Sequence, residues 1–397
     1  FSCFSARGEQ IYKRYGCKRL DYAEVVAAMI PILYGDQTGS DFPYNGIGRL
    51  DEAISCVITE DLVGVYELEL KYPAEGRYAH EIMMGGTIAA LRPYADGNEY
   101  KRQVEPFNIY KTVIENNIIT VNAHHFSYQL SDAVVIPYDS HTATDATKLS
   151  DAYNYLGYNS IGSDAYAYWN IAALDEVYGE FRIETVKSFR EYLFDDTYSL
   201  KKIYNVDIWF RQYGIYFGTR GEDRGAEIRP GKNLADWSIE FDSSETYNAI
   251  VPYWYGPNTG GYLAVVSNPR IIKPTPEILP TIAKAVDFTN YFKEAPTQSA
   301  LTSAATNYIN TVKPWEKYKH FEVGFYHDTV GADVIDLGDI VTVYLDSLDG
   351  NRTKVRIVSI KYDSIMERFT EIELGDPRNA YAVTSRDGLQ ATRNNMA

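Results

Sequence analysis

Chemistry in this chain would have to come from a few short patterns, and each lacks a part. His80-Glu81 opens like the H-E-x-x-H helix of a zinc hydrolase, where two histidines a turn apart hold the metal and the glutamate activates water. Position 84 is Met, however, and Gly85-Gly86 follow. Gly225 to Lys232 has the outline of a phosphate-binding loop, but five residues separate its glycines instead of four, and Asn233 stands where Ser or Thr would hold magnesium. Pro230 also removes one of the amides such a cradle uses. A tight turn pinned by Arg and Asp side chains fits that stretch better. Gly157-Tyr158-Asn159-Ser160 places its first glycine one position too early for a nucleophile elbow. Ser199-Leu200-Lys201-Lys202 matches S-x-x-K, a pattern short enough to arise often by chance. His124 and His125 are adjacent at a strand end, so their side chains diverge and cannot chelate one ion together; hydrogen-bonded structural roles suit them. Cys3, Cys17 and Cys56 fit no zinc or redox spacing, and no recognisable catalytic His motif lies near Cys17 or Cys56. Asp346 to Asn351 lacks the spacing of a calcium loop, and carboxylates elsewhere are too common to single out a glycosidase pair. The expectation is therefore no catalytic, cofactor-binding or metal-binding residue, and no cofactor.

The elements around these residues read mostly as β. Ile54 to Glu60 and Val65 to Tyr72 form a hairpin around Gly64, with Tyr66, Leu68, Leu70 and Tyr72 on one face and Glu67, Glu69 and Lys71 on the other. Phe107 to Ile114 and Ile118 to Ala123 form a second hairpin over Asn116-Asn117, residues that enter left-handed conformations cheaply. Leu149, Ala152, Tyr153 and Leu156 recur at helical spacing, with Thr144 or Asp145 as N-cap. A second helix is expected over about 188–204. Strands follow at Val206 to Phe210 and Ile215 to Thr219, then Leu234 to Asp242 and Asn248 to Tyr255. Thr297 caps a late helix whose stripe is Leu301, Ala304, Ala305, Tyr308, Ile309 and Val312, ended by Pro314. The run Asp336 to Asp376 reads as a three-stranded meander turning at Asp349-Gly350. Its first strand alternates Ile340, Thr342 and Tyr344 with Val341, Val343 and Leu345, so both faces are largely apolar.

Composition narrows the function class. The 397 residues can bury large cores in two to four domains. A net charge of −16 argues against a surface that grips nucleic acid, which needs clustered Lys and Arg. Tyrosine is abundant, with 35 against 16 Phe and 5 Trp, and its apolar body and polar tip suit both β surfaces and subunit contacts. The three cysteines read as reduced thiols of a chain folded in a cytoplasm. No apolar stretch approaches a membrane span, and no cleavable leader is expected before the fold.

Six segments in order resemble the N-terminal region of phage minor structural proteins, the prophage endopeptidase tail family. They are Met29 to Tyr34, Asn45 to Pro73, Pro106 to Val113, Val121 to Asp132, Asp223 to Leu234 and the meander ending Ile372-Glu373-Leu374-Gly375-Asp376. The resemblance implies an α+β, mostly β fold of two tube-like β-barrel domains with small α/β insertions. It implies a tail-tip or baseplate hub of a tailed phage or prophage: a homotrimer closing the tail tube and opening for DNA passage. The partners implied are a distal tail protein ring, tape-measure protein, DNA passing without specific binding, and the host envelope. The location implied is the virion tail tip, after assembly in the host cytoplasm. The expected segments are an N-terminal extension over 1–28, outside the family pattern; a first barrel over 29–140; a helical and α/β insertion over 141–205; an α/β domain over 206–313; the meander completing a second barrel over 314–376; and a loose tail over 377–397. Lytic modules of this family lie downstream, so no enzyme activity is expected of this stretch. The alternatives are a peptidoglycan-degrading tail endopeptidase, or a carbohydrate-binding adhesin using aromatic residues such as Trp254.

Overall fold

A computed structural model describes residues 30–375, apart from 36–45, 84, 98, 138–146, 163–168, 174–176, 180, 184, 196–197, 230–233, 243–245, 259–260, 290–291, 293, 313, 316–317, 326–333 and 345–351. The chain forms two compact units, Phe1–Trp237 with Glu322–Ala397, and Ser238–Phe321 inserted between them in sequence.

The first unit is built on a sheet of thirteen strands. Both hairpins form where the alternation predicts. Ser55–Asp61 pairs with Tyr66–Pro73, and Val104–Glu115 with Ile118–His125. Gly64 takes φ +110° in the first turn, and Asn116 and Asn117 take φ 49° and 63° in the second. Two successive left-handed residues match the right-handed twist of the flanking strands. The Asp61 carboxylate adds a device that the glycine alone does not announce, accepting the amides of Val63 at 2.9 Å and Val65 at 2.7 Å. Tyr66, Leu68, Leu70 and Tyr72 face inward as expected and are buried.

The meander comprises Ile340–Tyr344, Arg352–Asp363 and Arg368–Gly375, paired antiparallel. Its Asp349-Gly350 turn and Leu345 lie outside the described residues. Its long middle strand also pairs with Ser55–Asp61, Ile360 facing Glu60 and Tyr362 facing Ile58. The early and late β blocks, expected as separate barrels, thus share one sheet. Among the described residues its path runs from Leu234–Asp242 to Gly48–Arg49 and does not close on itself.

The helical segment packs onto this sheet through one continuous core. Leu149, Ala152, Tyr153 and Leu156 line the buried face of the Leu149–Tyr158 helix, as their spacing predicts. Its N-cap is Lys148, without a side-chain cap; Thr144 and Asp145, the caps expected from the sequence, lie outside the described residues. The helix expected over 188–204 is two short helices, Phe189–Phe194 and Leu200–Tyr204. Two caps explain the break. Ser188 and Glu191 form a capping box on the first, and Ser199 caps the second by accepting Lys202 N–H from extended backbone. Asp195 ends the first helix in extended backbone and accepts the Tyr198 amide at 3.1 Å.

The second unit has its own core. A sheet of Gly261–Val266, Ala249–Asn258 and Ala283–Asp287 accompanies the Gln298–Val312 helix, whose Leu301, Ala305 and Ile309 are fully buried beside Ile250, Ile272 and Phe288. Thr297 caps that helix through the Ala300 amide at 3.2 Å. Fully burying a Leu, Ile or Phe side chain is worth about 1.5–3 kcal/mol, so the five of them here, with Ala305, suffice to define a small core.

Candidate functional site

The two segments that carry the resemblance most compactly, around Arg220 to Ile228 and Asp336 to Val343, meet in the first unit. Their contact is backbone against backbone. Gly221 has φ +83° and Gly338 φ +92°. A Cβ on Gly221 would lie 2.1 Å from the Gly338 carbonyl carbon, and one on Gly338 would lie 2.5 Å from the Arg220 oxygen. Only glycine fits either position. Beyond the crossing, Glu227–Ile228 runs parallel to Thr342-Val343.

Four carboxylates and four guanidinium groups fix this crossing. Arg92 donates to Glu60 through Nε at 3.1 Å and Nη2 at 2.8 Å, and to Asp336 at 2.7 Å. Arg220 donates to the other Glu60 oxygen at 2.6 Å. Arg356 donates to the Gly338 carbonyl at 3.0 Å, to the Arg220 carbonyl at 2.7 Å, and to Asp207. Asp207 also accepts the Arg220 amide at 2.9 Å. Asp339 accepts Arg224 Nε at 3.0 Å and the amides of Glu222 and Asp336, each at 2.8 Å. Glu60, Arg92, Arg220 and Asp336 are all at most 6% exposed.

The electrostatics follow from burial set against pairing. Burial alone would raise the Glu60 carboxyl, but Arg220 and Arg92 outweigh it and hold it below its usual range. Burial likewise opposes ionisation of Asp336, yet Arg92 and Arg220 hold it down at about 2. Asp339 goes the other way: burial raises it despite the Glu222 amide and Arg224. Glu60 and Asp336 are thus fixed anions whose oxygens are taken by donors. An arrangement of this kind holds backbone in place; it presents no free base and no nucleophile.

Of these eight residues, sequence reasoning pointed only to the arginines of the first segment, Arg220 and Arg224, as pins of a turn, and singled out none of Glu60, Arg92, Asp207, Asp336, Asp339 and Arg356. A signal existed for two of them. Glu60 continues the inward face of Cys56 and Ile58, and Arg356 continues that of Val358, Ile360 and Tyr362. A charge placed on an apolar stripe needs a buried partner.

The other sequence-selected residues are dispersed. His80 sits in a five-residue helix, Ala79–Met83. Ser199 is a helix cap, and Lys201 donates to the Leu62 carbonyl. Asn159 ends the Leu149–Tyr158 helix, and Ser160 donates to the Leu156 carbonyl at 2.6 Å. Cys56 is buried, and burial raises its thiol well above the ordinary range. Cys3, Cys17 and Pro230 to Asn233 lie outside the described residues, as does Asp346 to Asn351. His124 and His125 do diverge. His125 is buried, its Nε2 lying 3.2 Å from Glu105 and its Nδ1 accepting the Ser127 amide at 3.2 Å, which places the ring proton on Nε2. His124 lies between Tyr110 and Tyr128, with ring centroids 3.8 and 4.0 Å away. Burial lowers its basicity against the opposing charge of Glu67. Trp254, the aromatic chosen for glycan stacking, is 3% exposed and donates to the Phe292 carbonyl at 3.2 Å, so its ring is not a surface platform.

No family model matches the sequence, and no curated protein matches it. The fold, in contrast, is shared with solved tail proteins. A prophage tail protein, gp18, from Listeria monocytogenes EGD-e aligns over 92% of this chain and 99% of its own, with a TM-score of 0.53 at 13% identity. The 43 kDa tail protein of prophage MuSo2 from Shewanella oneidensis aligns over 82% and 94%, with a TM-score of 0.51 at 12% identity. A tail protein from Neisseria meningitidis MC58 aligns over 83% and 93%, with a TM-score of 0.51 at 14% identity. The chain therefore has the fold of phage and prophage tail proteins.

Proposed function

We propose that this chain is a structural tail-tip or baseplate hub protein of a tailed phage or prophage. In this reading three copies close the end of the tail tube and open for DNA. The observation that carries the proposal is the near end-to-end correspondence with the Listeria prophage tail protein, 92% of one chain against 99% of the other. A correspondence of that extent covers the whole architecture, both units included, and not one common motif. The eight-charge junction supports a mechanical role, since its groups hold two backbones at van der Waals contact and leave no free reactive group among them.

Each protomer would present two tube-like elements, so that three protomers match a six-fold distal tail ring. Tape-measure protein and DNA would pass through the opened centre. A net charge of −16 suits that passage, because an acidic wall repels phosphate and does not hold it. The chain would be assembled in the host cytoplasm, reside at the virion tail tip and meet the host envelope during infection. It would act without a cofactor and without catalysis. Gold-labelled antibody against a tagged copy, applied to particles of the encoding phage, tests the location: labels at the tail end are expected, and labels elsewhere or none overturn the proposal. Incubation of the purified chain with cell walls tests the absence of catalysis, and release of soluble fragments would overturn that half.

A further inference from the structure

Along the Val104–Glu115 strand, partner strands flank both sides only at Phe107 and Asn108. Thr87–Leu91 pairs with it from Val104 to Asn108, whereas Ile118–His125 pairs with it from Phe107 to Glu115. A bulge at Tyr110 divides the halves, because Ile109 faces Ala123 while Lys111 faces Asn122. From Lys111 to Glu115 the outer edge therefore has no partner strand among the described residues. Folded proteins blunt such edges with proline, bulges, inward charges or charged edge residues, Lys above all; here only Lys111 and Glu115, at the two ends of the segment, act so. Lys111-Thr112-Val113-Ile114-Glu115 has no proline, and no register shift interrupts its pairing with Ile118–His125. Its apolar residues are uncovered. Ile114 lies opposite Ile119 on the core-facing side, yet Ile119 is fully buried and Ile114 is 56% exposed. Val113, on the other side, is 39% exposed.

We propose that this edge pairs antiparallel with the same edge of a second copy. The occupant is argued from charge. With Val113 on the two-fold axis, Lys111 of each copy stands opposite Glu115 of the other at both ends, and Thr112 stands opposite Ile114. Directly opposed unlike charges stabilise an antiparallel pair and like charges destabilise it. Within the chain Lys111 faces Asn122 and Glu115 faces Ile118, so the strand partner inside the protomer supplies no counter-charge to either. The new pairing would close the open edge and lay the uncovered Ile114 side chains along a continuous two-copy sheet. Five residues a side make a small contact beside a standard interface of about 1,600 Å², so the association is weak and concentration-dependent. It is independent of the tail reading: a monomer would double to a dimer, and a trimer to a hexamer.

The test is sedimentation equilibrium of the full chain from low micromolar to several hundred micromolar. The doubling step is expected in the parent. Lys111→Glu and Glu115→Lys should each weaken it about tenfold, by opposing like charges at both ends. The double swap, Lys111→Glu with Glu115→Lys, should restore it, and an equimolar mixture of the two single variants should associate more tightly than either alone. Absence of any doubling step, or a step unaffected by the single changes, overturns the proposal.

Discussion

Asp61 and Asp336 are carboxylates of one unit with opposite leanings, and acid titration separates them. Asp336 is held at about 2 by Arg92 and Arg220 against burial. Unfolding returns it to its ordinary value near 3.8, so the folded state binds fewer protons in that window. Its stabilisation is complete above about pH 4 and is lost as the pH falls toward 2, a loss of roughly 2 kcal/mol. Burial instead pushes Asp61 up to about 6, despite the amides of Val65 and Val63. Between about pH 4 and 6 the folded state keeps the proton that the unfolded state releases, so stability falls as the pH rises through that window. Asp61→Asn should abolish that fall, and Asp336→Asn should abolish the acid loss, both measured as thermal midpoints across pH. Glu60→Gln should cost more than either at neutral pH, about 3–5 kcal/mol, because it withdraws the anion between two buried guanidinium groups. A midpoint shift within error would contradict the ionic reading. Gly221→Ala should be as damaging, since its Cβ would have to enter the Gly338 backbone.

At the scale of elements, the signals that were local proved readable. Hairpin alternation, Asn116-Asn117, the Thr297 cap and the Leu301–Ala305–Ile309 stripe are each a statement about neighbours within a few residues, and all appear as expected. The helix break at Asp195 was missed: Ser188 and Ser199 each begin a helix within the 188–204 range where one was expected. The ionic junction was half legible. Its glycines and charged loops announce a pinned turn, but Arg92 and Asp207 become partners only through contacts far apart in sequence, such as Arg92 with Asp336. Two substitutions probe the local devices. Asn117→Gly should leave stability unchanged or raise it, since φ 63° suits glycine, while Asn117→Val should lower it by about 1 kcal/mol or more. Ser199→Ala should cost about 1 kcal/mol through the lost cap on Lys202 N–H. Urea midpoints of the purified variants check both.

At the scale of the molecule, the mostly β character and the tail-protein fold were legible from the order of six weak segments. The pairing of Ser55–Asp61 with Arg352–Asp363 was not, because a register between strands some three hundred residues apart leaves no local trace. That pairing, locked by Glu60 beneath Arg92 and Arg220, makes the first unit one wall built from both ends of the chain. In the proposed function this wall belongs to a tail. A cryo-electron map of the encoding phage's tail particles tests it most directly. Three copies of this fold are expected around the tube axis at its distal end; a tail tip built wholly from other chains would overturn the proposed function.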